Sequence, residues 1–402
     1  MCRDPAAFAA LAPEWAALFA RCRTATPFQH HAWLHSWWRS YGRPGRLRVV
    51  LVREAGRLVA AAPLTLVHRP WPTLVPLGGP LSDHADVLLD DARAEPAARA
   101  LAAGIAAAGR GALVDLREVR PGAAAERVYA LWPGPRRRLA DAPCLELPAL
   151  ALEDLVARLA RPRAQRVRAK LRKLDALGVH GREVPVDEVP RALRTLLALH
   201  RLQWQDRKVT GEHLRPRFAA HLERAVVAMV RSGHAVVTEF RLPDRTSPTT
   251  DPTGPTASGD ARDIAGTTVA VDLTLLAPGL TGAYLYGAHP RLRAGKVDVA
   301  TMLLRSGARL ATRDGAAARG GVLSLLRGDE PYKHHWKPAV VTNRRLLLAR
   351  RRALPLLVLA LGDAGARDLL RRARHVRRAR TAARTTPPPS DPVGGAHACG
   401  GP

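Results

Sequence analysis

Between Gly328 and Lys337 the chain brings together nearly every kind of proton-transfer side chain: Asp329, Glu330, Tyr332, Lys333, the pair His334 and His335, and Lys337, with Trp336 among them. An apolar stretch from Gly321 to Leu326 precedes them and reads as a strand. Reactive groups gather where such strands end in α/β proteins. Two carboxylates, a phenol and an ammonium group in so short a run are the tools of general acid–base chemistry. Each also has a structural use: Asp329 and Glu330 as turn caps, Tyr332 and Trp336 as core aromatics.

A second arrangement lies upstream. His289-Pro290-Arg291-Leu292-Arg293-Ala294-Gly295-Lys296-Val297 leads into an apolar-periodic helix marked by Val299, Met302, Leu303 and Leu310. Strand, cationic loop and helix N-terminus in that order make a phosphate cradle, because the first amides of a helix are unpaired and its dipole attracts anions. Asp298 brings a competing charge to the same end and suits a helix cap. His200 and Trp204 fall on one face of a helix expected over Val189 to Arg207, where they line a substrate or pack on each other. His30-His31 and His334-His335 diverge on a helix, and Cys2, Cys22, Cys144 and Cys399 form no CxxC pair, so neither a metal site nor a disulfide framework is expected.

These groups need a scaffold, and the hydrophobic pattern supplies one of mixed type. The first 20 residues read as an amphipathic helix through Phe8, Leu11, Trp15, Leu18 and Phe19. Leu47–Val52 and Leu58–Val67 read as a hairpin about a turn at Glu54-Ala55-Gly56-Arg57, followed by short strands at Leu74–Leu77 and Val87–Leu89, a helix over Ala92–Ala108 and a strand at Ala112–Leu116. A second cycle begins near Leu150, with helices over Leu152–Leu177, Val189–Arg207 and Arg215–Ser232 and strands at Ala235–Arg241, Thr267–Leu276 and Ala283–Gly287. The hairpins of the two cycles look alike, which suggests a duplicated domain. The expected organisation is α+β: residues 1–150, residues 151–350 with a disordered Pro/Thr/Ser/Gly/Asp insertion at 243–262, and a basic tail over 351–402 disordered from about 385.

The 402 residues hold 63 Lys+Arg against 35 Asp+Glu, a formal charge of +28. Only six of the cations are lysine, and Ala, Gly and Pro abound, so GC-rich coding explains part of the excess. Arg161, Arg163, Arg166, Arg168, Lys170, Arg172 and Lys173 surround a thin apolar stripe of Val167, Leu171 and Leu174. This is a cationic amphipathic helix, suited to a solvated face, an anionic membrane surface or RNA. No segment has the length of a signal peptide core or a membrane span, and a cytoplasmic location is expected, with peripheral contact at the inner membrane face.

Several ordered motifs resemble the CelD-like (cellulose-biosynthesis-protein-like) branch of the GNAT acyltransferase superfamily, related to the Fem-type transferases. They are Pro27-Phe28-Gln29-His30-His31-Ala32-Trp33-Leu34 with Trp37-Trp38 and Tyr41-Gly42, then Ala62-Pro63-Leu64, Leu199-His200-Arg201-Leu202-Gln203-Trp204, Tyr284-Leu285-Tyr286-Gly287-Ala288-His289-Pro290, and Gly328-Asp329-Glu330-Pro331-Tyr332-Lys333 with Trp336. Together they span about residues 5 to 350. The resemblance implies tandem GNAT-like domains, with acetyl-CoA or another acyl-CoA as donor in the second and no metal. The family's Q/R-x-x-G-x-G/A pyrophosphate loop corresponds to Arg291, Arg293, Gly295, Lys296 and Val297, of which only Gly295 keeps the glycine pattern.

Acyl-transfer chemistry then assigns roles. An amine must lose a proton before attacking a thioester, so Asp329 or Glu330 is the expected base or amine-orienting group; the departing thiolate needs an acid, Tyr332; Lys333 holds a phosphate or an acceptor carboxylate. His200, Trp204 and Trp336 would line the substrate. The acceptor is expected to be a small or saccharide-like amine, in polysaccharide or cell-envelope biosynthesis. The basic helix resembles the one that opens the second domain of Fem-type enzymes, so an aminoacyl-tRNA donor is the alternative. A non-catalytic accessory protein of the same fold is a third reading.

Overall fold

The computed structural model describes residues 1–68, 70–203, 211–242, 268–294, 297–313, 321–330 and 333–385. Three helices open the chain: α1 (Pro5–Ala10), α2 (Ala12–Ala20) and α3 (His31–Tyr41). The hairpin β1 (Leu47–Glu54) and β2 (Arg57–His68) follows, with β3 (Pro72–Pro76) beside it. Its turn holds Ala55 at φ 47° and Gly56 at φ 78°. Two left-handed residues in a row match the right-handed twist of the flanking strands. A short β4 (Leu88–Leu89) and α4 (Ala94–Ala108) lead to β5 (Leu113–Val119), which lies parallel to β3. Then come α5 (Ala124–Ala130) and the long β6 (Arg136–Pro148).

The second half repeats the plan. After α6 (Leu152–Ala157), α7 (Arg161–Ala176), β7 (His180–Glu183), α8 (Val189–Gln203) and α9 (Pro216–Arg231), strands β8 (Ala235–Arg241), β9 (Thr268–Ala277) and β10 (Leu280–Ala288) pair antiparallel. The short α10 (Pro290–Ala294) and α11 (Val299–Ala311) then cross over to β11 (Val322–Arg327), parallel to β10. β12 (Ala339–Leu348) and α12 (Leu354–Thr385) close the chain.

The twelve strands among the described residues join one sheet in the order β1-β2-β3-β5-β12-β6-β11-β10-β9-β8-β7, with β4 on β2. The last strand therefore returns to the middle, between β5 and β6. The boundary expected near residue 150 does not divide the sheet. The N-terminal helices cross the same line: Phe8, Trp15 and Trp33 share a core with Leu193, Leu196, Phe218 and Leu222 of α8 and α9, and the Ser36 hydroxyl donates to the His221 carbonyl at 2.8 Å.

The register fixes where the two parallel pairs meet. Arg344 of β12 lies opposite both Val119 at the end of β5 and Ala140 of β6. Farther along β6, Cys144 lies opposite Arg327 at the end of β11. β5 and β11 run in opposite directions beside this spine, so their C-terminal ends point toward each other.

The expected helix at Leu152–Leu177 is two helices, because the chain turns at Arg158–Ala160 before Pro162 starts α7. Proline lacks the amide that a continuous helix would need there. The expected disorder at 243–262 and beyond 385 lies outside the described residues. The hydrophobic pattern does not announce β6 and β12: Arg136–Arg138 and Asn343–Arg345 put cations into what are central strands. Arg345 pays for its burial with a two-point pair to Asp115, both bonds 2.8 Å.

Asp272 sits fully inside, on β9 between Thr238 and Tyr286 of its neighbours. Its carboxylate accepts the Thr274 hydroxyl at 2.9 Å, and burial pushes its pKa up to about 7, only partly offset by that bond. A carboxyl raised above its unfolded value stabilises while protonated. That contribution is complete below about pH 4, the unfolded pKa, and is lost as pH rises through about 7. Asp272→Asn is therefore expected to gain melting temperature over the native chain as pH rises from about 5 to about 8, a trend that paired thermal melts would reveal.

Candidate functional site

The facing strand ends create a polar junction at the centre of the molecule. Arg327 donates Nη2 to the Pro80 carbonyl at 2.6 Å, Nη1 to Glu118 at 3.4 Å, and Nε to Asp83. Asn343 donates Nδ2 to Glu118 at 3.0 Å and to the Asp83 carbonyl at 3.2 Å. Its Oδ1 is buried and has no hydrogen-bond partner among the described residues. Beside them Arg120 grips Glu146 through two bonds of 2.7 and 2.8 Å. Asp83 comes from the loop after β3, Glu118 from β5, Arg327 from β11 and Asn343 from β12, so both halves build the junction.

The backbone is distorted at the same place. The register slips by one residue between Arg344 and Leu346 against β5, between Ser324 and Arg327 of β11 against β6, and between Thr342 and Arg344 against β6. Two non-glycine residues are left-handed there, Glu118 at φ 56° and Leu326 at φ 57°. Bulges and such strain, about 1–3 kcal/mol per residue, accumulate where a fold must aim particular side chains. Burial raises the pKa of Asp83, with Arg327 pulling it back, and raises Glu118 against the bonds from Asn343 and Arg327. Burial, then the charges of Asp83, Glu118 and Glu146, pushes the Cys144 thiol up to about 12. Burial with the nearby Arg120 and Arg327 lowers His84 to about 3. Carboxyls shifted upward in this way are suited to taking a proton from an amine.

The residues singled out from the sequence fall into three groups, of which the first adjoins this junction. Gly328 continues β11 at φ 115°, a conformation L-residues rarely adopt, and a Cβ there would meet the Glu330 carboxylate at 2.6 Å. Glu330 pairs with Lys333 at 2.8 Å. The Lys333 ammonium also donates to the Arg327 carbonyl at 3.1 Å and is almost entirely buried. Asp329 faces solvent and pairs with His334. Tyr332 lies outside the described residues. Trp336, expected to line a substrate, is instead a core residue, packed with Leu147, Leu304 and Leu323 and only 5% exposed.

His200 belongs to a different wall. Its Nδ1 donates to the Tyr286 carbonyl at 2.9 Å; a carbonyl can only accept, so this nitrogen carries the proton. Burial lowers the pKa of the ring and keeps it neutral. One turn on, Gln203 donates to the Tyr286 hydroxyl and accepts the Ala288 amide, both at 3.0 Å. Trp204 lies outside the described residues.

The third group is the loop before α11. β10 and β11 share register only at Leu280–Gly282, and then part; β10 carries a bulge between Ala283 and Leu285, at Tyr284. Tyr286 and Ala288 lie on the β10 edge beyond the parting, where α8 already occupies the carbonyl of one and the amide of the other. The helix terminus is also engaged. Asp298 caps α11 by accepting the Thr301 amide at 2.8 Å and pairs with Lys170 of α7. The Val297 amide, expected to meet a phosphate, donates to the Leu292 carbonyl at 2.8 Å. Arg291 is exposed. Arg293 lies in α10, and Gly295 and Lys296 lie outside the described residues. The expectation of free amides at this terminus is corrected for Val297 and Thr301, whose amides are engaged, and Asp298 places a carboxylate there.

Asp83, Glu118 and Asn343 escape a reading of the sequence. Asn343 sits in Val-Thr-Asn-Arg-Arg, which reads as the start of a basic tail, and Glu118 ends a strand whose charged residues read as exposed. The one available signal is Gly78-Gly79-Pro80, a tight turn followed by Asp83, His84 and Asp86. No group of three or more His, Cys, Asp or Glu side chains suits a metal among the described residues.

Comparison with known proteins agrees with this architecture. Residues 161–247 match the family model described as an acetyltransferase (GNAT) domain. No curated protein matches the chain. Among solved structures, FemX aligns with a TM-score of 0.56 at 14% identity, over 87% of this chain and 98% of its own. The C-terminal domain (DUF2156) of a putative lysylphosphatidylglycerol synthetase from Agrobacterium fabrum aligns with a TM-score of 0.52 at 12% identity, over 89% and 96%. L-PGS from Bacillus licheniformis gives the same TM-score, 0.52, and identity, 12%, with the same coverage of 89% and 96%. The chain is thus an α+β protein of GNAT-like fold, with a GNAT acetyltransferase domain matched from α7 to the end of β8 and just beyond.

Proposed function

We propose that the protein is a GNAT-type N-acyltransferase, of the CelD-like branch, that moves an acyl group from acyl-CoA to an amine acceptor such as a saccharide-like precursor of the cell envelope. This reading rests above all on the parting of β10 and β11 after Gly282, just before a bulge in β10, within the half that bears the GNAT match. β11, which pairs with β10 before the parting, ends at Arg327 in the junction. There Glu118, Asp83 and Glu330 offer carboxylates to an incoming ammonium group, and Lys333 offers a charge to a phosphate or carboxylate. Tyr332 is the proposed acid for the leaving thiolate.

A titration of the melting temperature with acetyl-CoA and longer acyl-CoA esters tests the donor: stabilisation that grows with concentration is expected, and its absence at millimolar ester overturns the acyl-CoA reading. The same titration with Asp298→Asn probes the loop. The amide keeps the cap and removes the charge, so this variant is expected to bind the ester about fivefold more tightly. Unchanged affinity would place the donor phosphates elsewhere.

A second reading, an aminoacyl-tRNA donor, is favoured by the engaged α11 terminus and by the α7 cations, most of them exposed while Ala164, Val167 and Leu174 are buried. The likeness to FemX and L-PGS, whose fold spans most of this chain, fits it too. Tight, steeply salt-dependent tRNA binding, abolished by replacing Arg166, Lys170 and Lys173, would establish this reading over the first.

A further inference from the structure

The last helix, α12, holds to the protein by one face only. Leu357 and Ala360 are buried in a cluster with Leu113, Leu347 and Ala349. The other face carries Leu354, Val358, Leu359, Leu369 and Leu370, exposed by 45, 60, 55, 70 and 56%. Val358 and Leu369 are eleven residues apart, as are Leu359 and Leu370, which at 3.6 residues per turn sets each pair on one line along the helix. From Arg367 to Thr385 the sequence then holds eight arginines against one aspartate, Asp368. Arg350, Arg351 and Arg352 stand exposed at the start of the helix.

We infer that α12 docks this protein on an anionic lipid bilayer, its outward leucines entering the interface and its arginines meeting the headgroup phosphates. An amphipathic helix with apolar side chains on one side and clustered arginines binds such a surface through both. Charge complementarity alone would suit RNA equally. The exposed leucines decide for lipid, because nucleic acid offers nothing that rewards Leu369 and Leu370. No helix among the described residues is long and apolar enough to cross a membrane, so the contact is one of lying on the surface. Neither the donor nor acyl transfer enters into this inference.

The test is co-sedimentation of the full chain with phosphatidylcholine vesicles, with and without phosphatidylglycerol. Binding is expected only with phosphatidylglycerol, falling as salt rises, and weakening about tenfold or more in Leu369→Glu/Leu370→Glu. Both side chains are exposed, so the double variant is expected to keep the native melting temperature, which confirms that it folds. Equal binding to vesicles of phosphatidylcholine alone, unchanged binding by the double variant, or no vesicle binding overturns the inference. Binding of a duplex RNA with no vesicle binding would assign the helix to nucleic acid instead.

Discussion

Arg327→Met is expected to destabilise the protein by about 3 kcal/mol and to abolish acyl transfer. The guanidinium is the only cation hydrogen-bonded to both Asp83 and Glu118 among the described residues, and it also ties the Pro80 loop to the end of β11. Its removal leaves two carboxylates unpaired in a site where each is mostly buried, and such a loss is costly. Chemical denaturation measures the first effect. Adding a double substitution of the carboxylates, Asp83→Asn with Glu118→Gln, to the Arg327→Met variant is expected to restore much of the stability, since it removes the uncompensated charge, and to leave the protein without activity. If stability returns and transfer returns with it, the junction is only structural.

Gly287→Ala carries the next largest effect. A Cβ at Gly287 would stand 2.3 Å from the Leu196 carbonyl and 2.6 Å from the His200 amide. Both are backbone atoms of α8 that cannot swing aside. The helix must lift from β10, which breaks the His200 bond to Tyr286 and the Gln203 bond to Ala288. Overpacking of this kind costs about 3 kcal/mol. Proteolysis across α8 and β10 is expected to speed up. A variant as stable as the native chain would show that α8 is not held to the sheet in this way.

The repeated hairpins are legible in the sequence because their turns and alternation are local. Glu54-Ala55-Gly56-Arg57 names its own turn, and Val269 to Leu275 alternates as a strand should. What local patterns cannot show is the pairing at the centre. β6 and β12 carry Arg136, Arg137, Arg344 and Arg345, which no hydrophobic pattern would send to the middle of a sheet. Arg344 and Arg345 are tolerated because Glu126 and Asp115 lie across from them, a match between positions more than 200 residues apart; Arg137 is exposed. The same distance hides the junction. Asp83, Glu118 and Asn343 are ordinary residues in the sequence and become notable only when the fold brings three separate segments to Arg327. The run Asp329-Glu330-Lys333 is legible because its members are neighbours; its partner at the centre is not.

The loop before α11 shows the opposite case, where a local pattern suggests too much. Three cations and a glycine before a helix read as a cradle, but Asp298 caps that helix and pairs with Lys170. Lys170 lies on another helix, so no reading of the loop alone would find that pair.

The decisive experiment is hydrogen exchange of the backbone amides with and without saturating acetyl-CoA. Slower exchange is expected in two segments at once, Tyr284 to Thr301 along the opening and Leu326 to Glu330 at the junction, with the rest of the sheet unchanged. Protection confined to some other surface, or none in either segment, would show that the donor does not enter between β10 and β11.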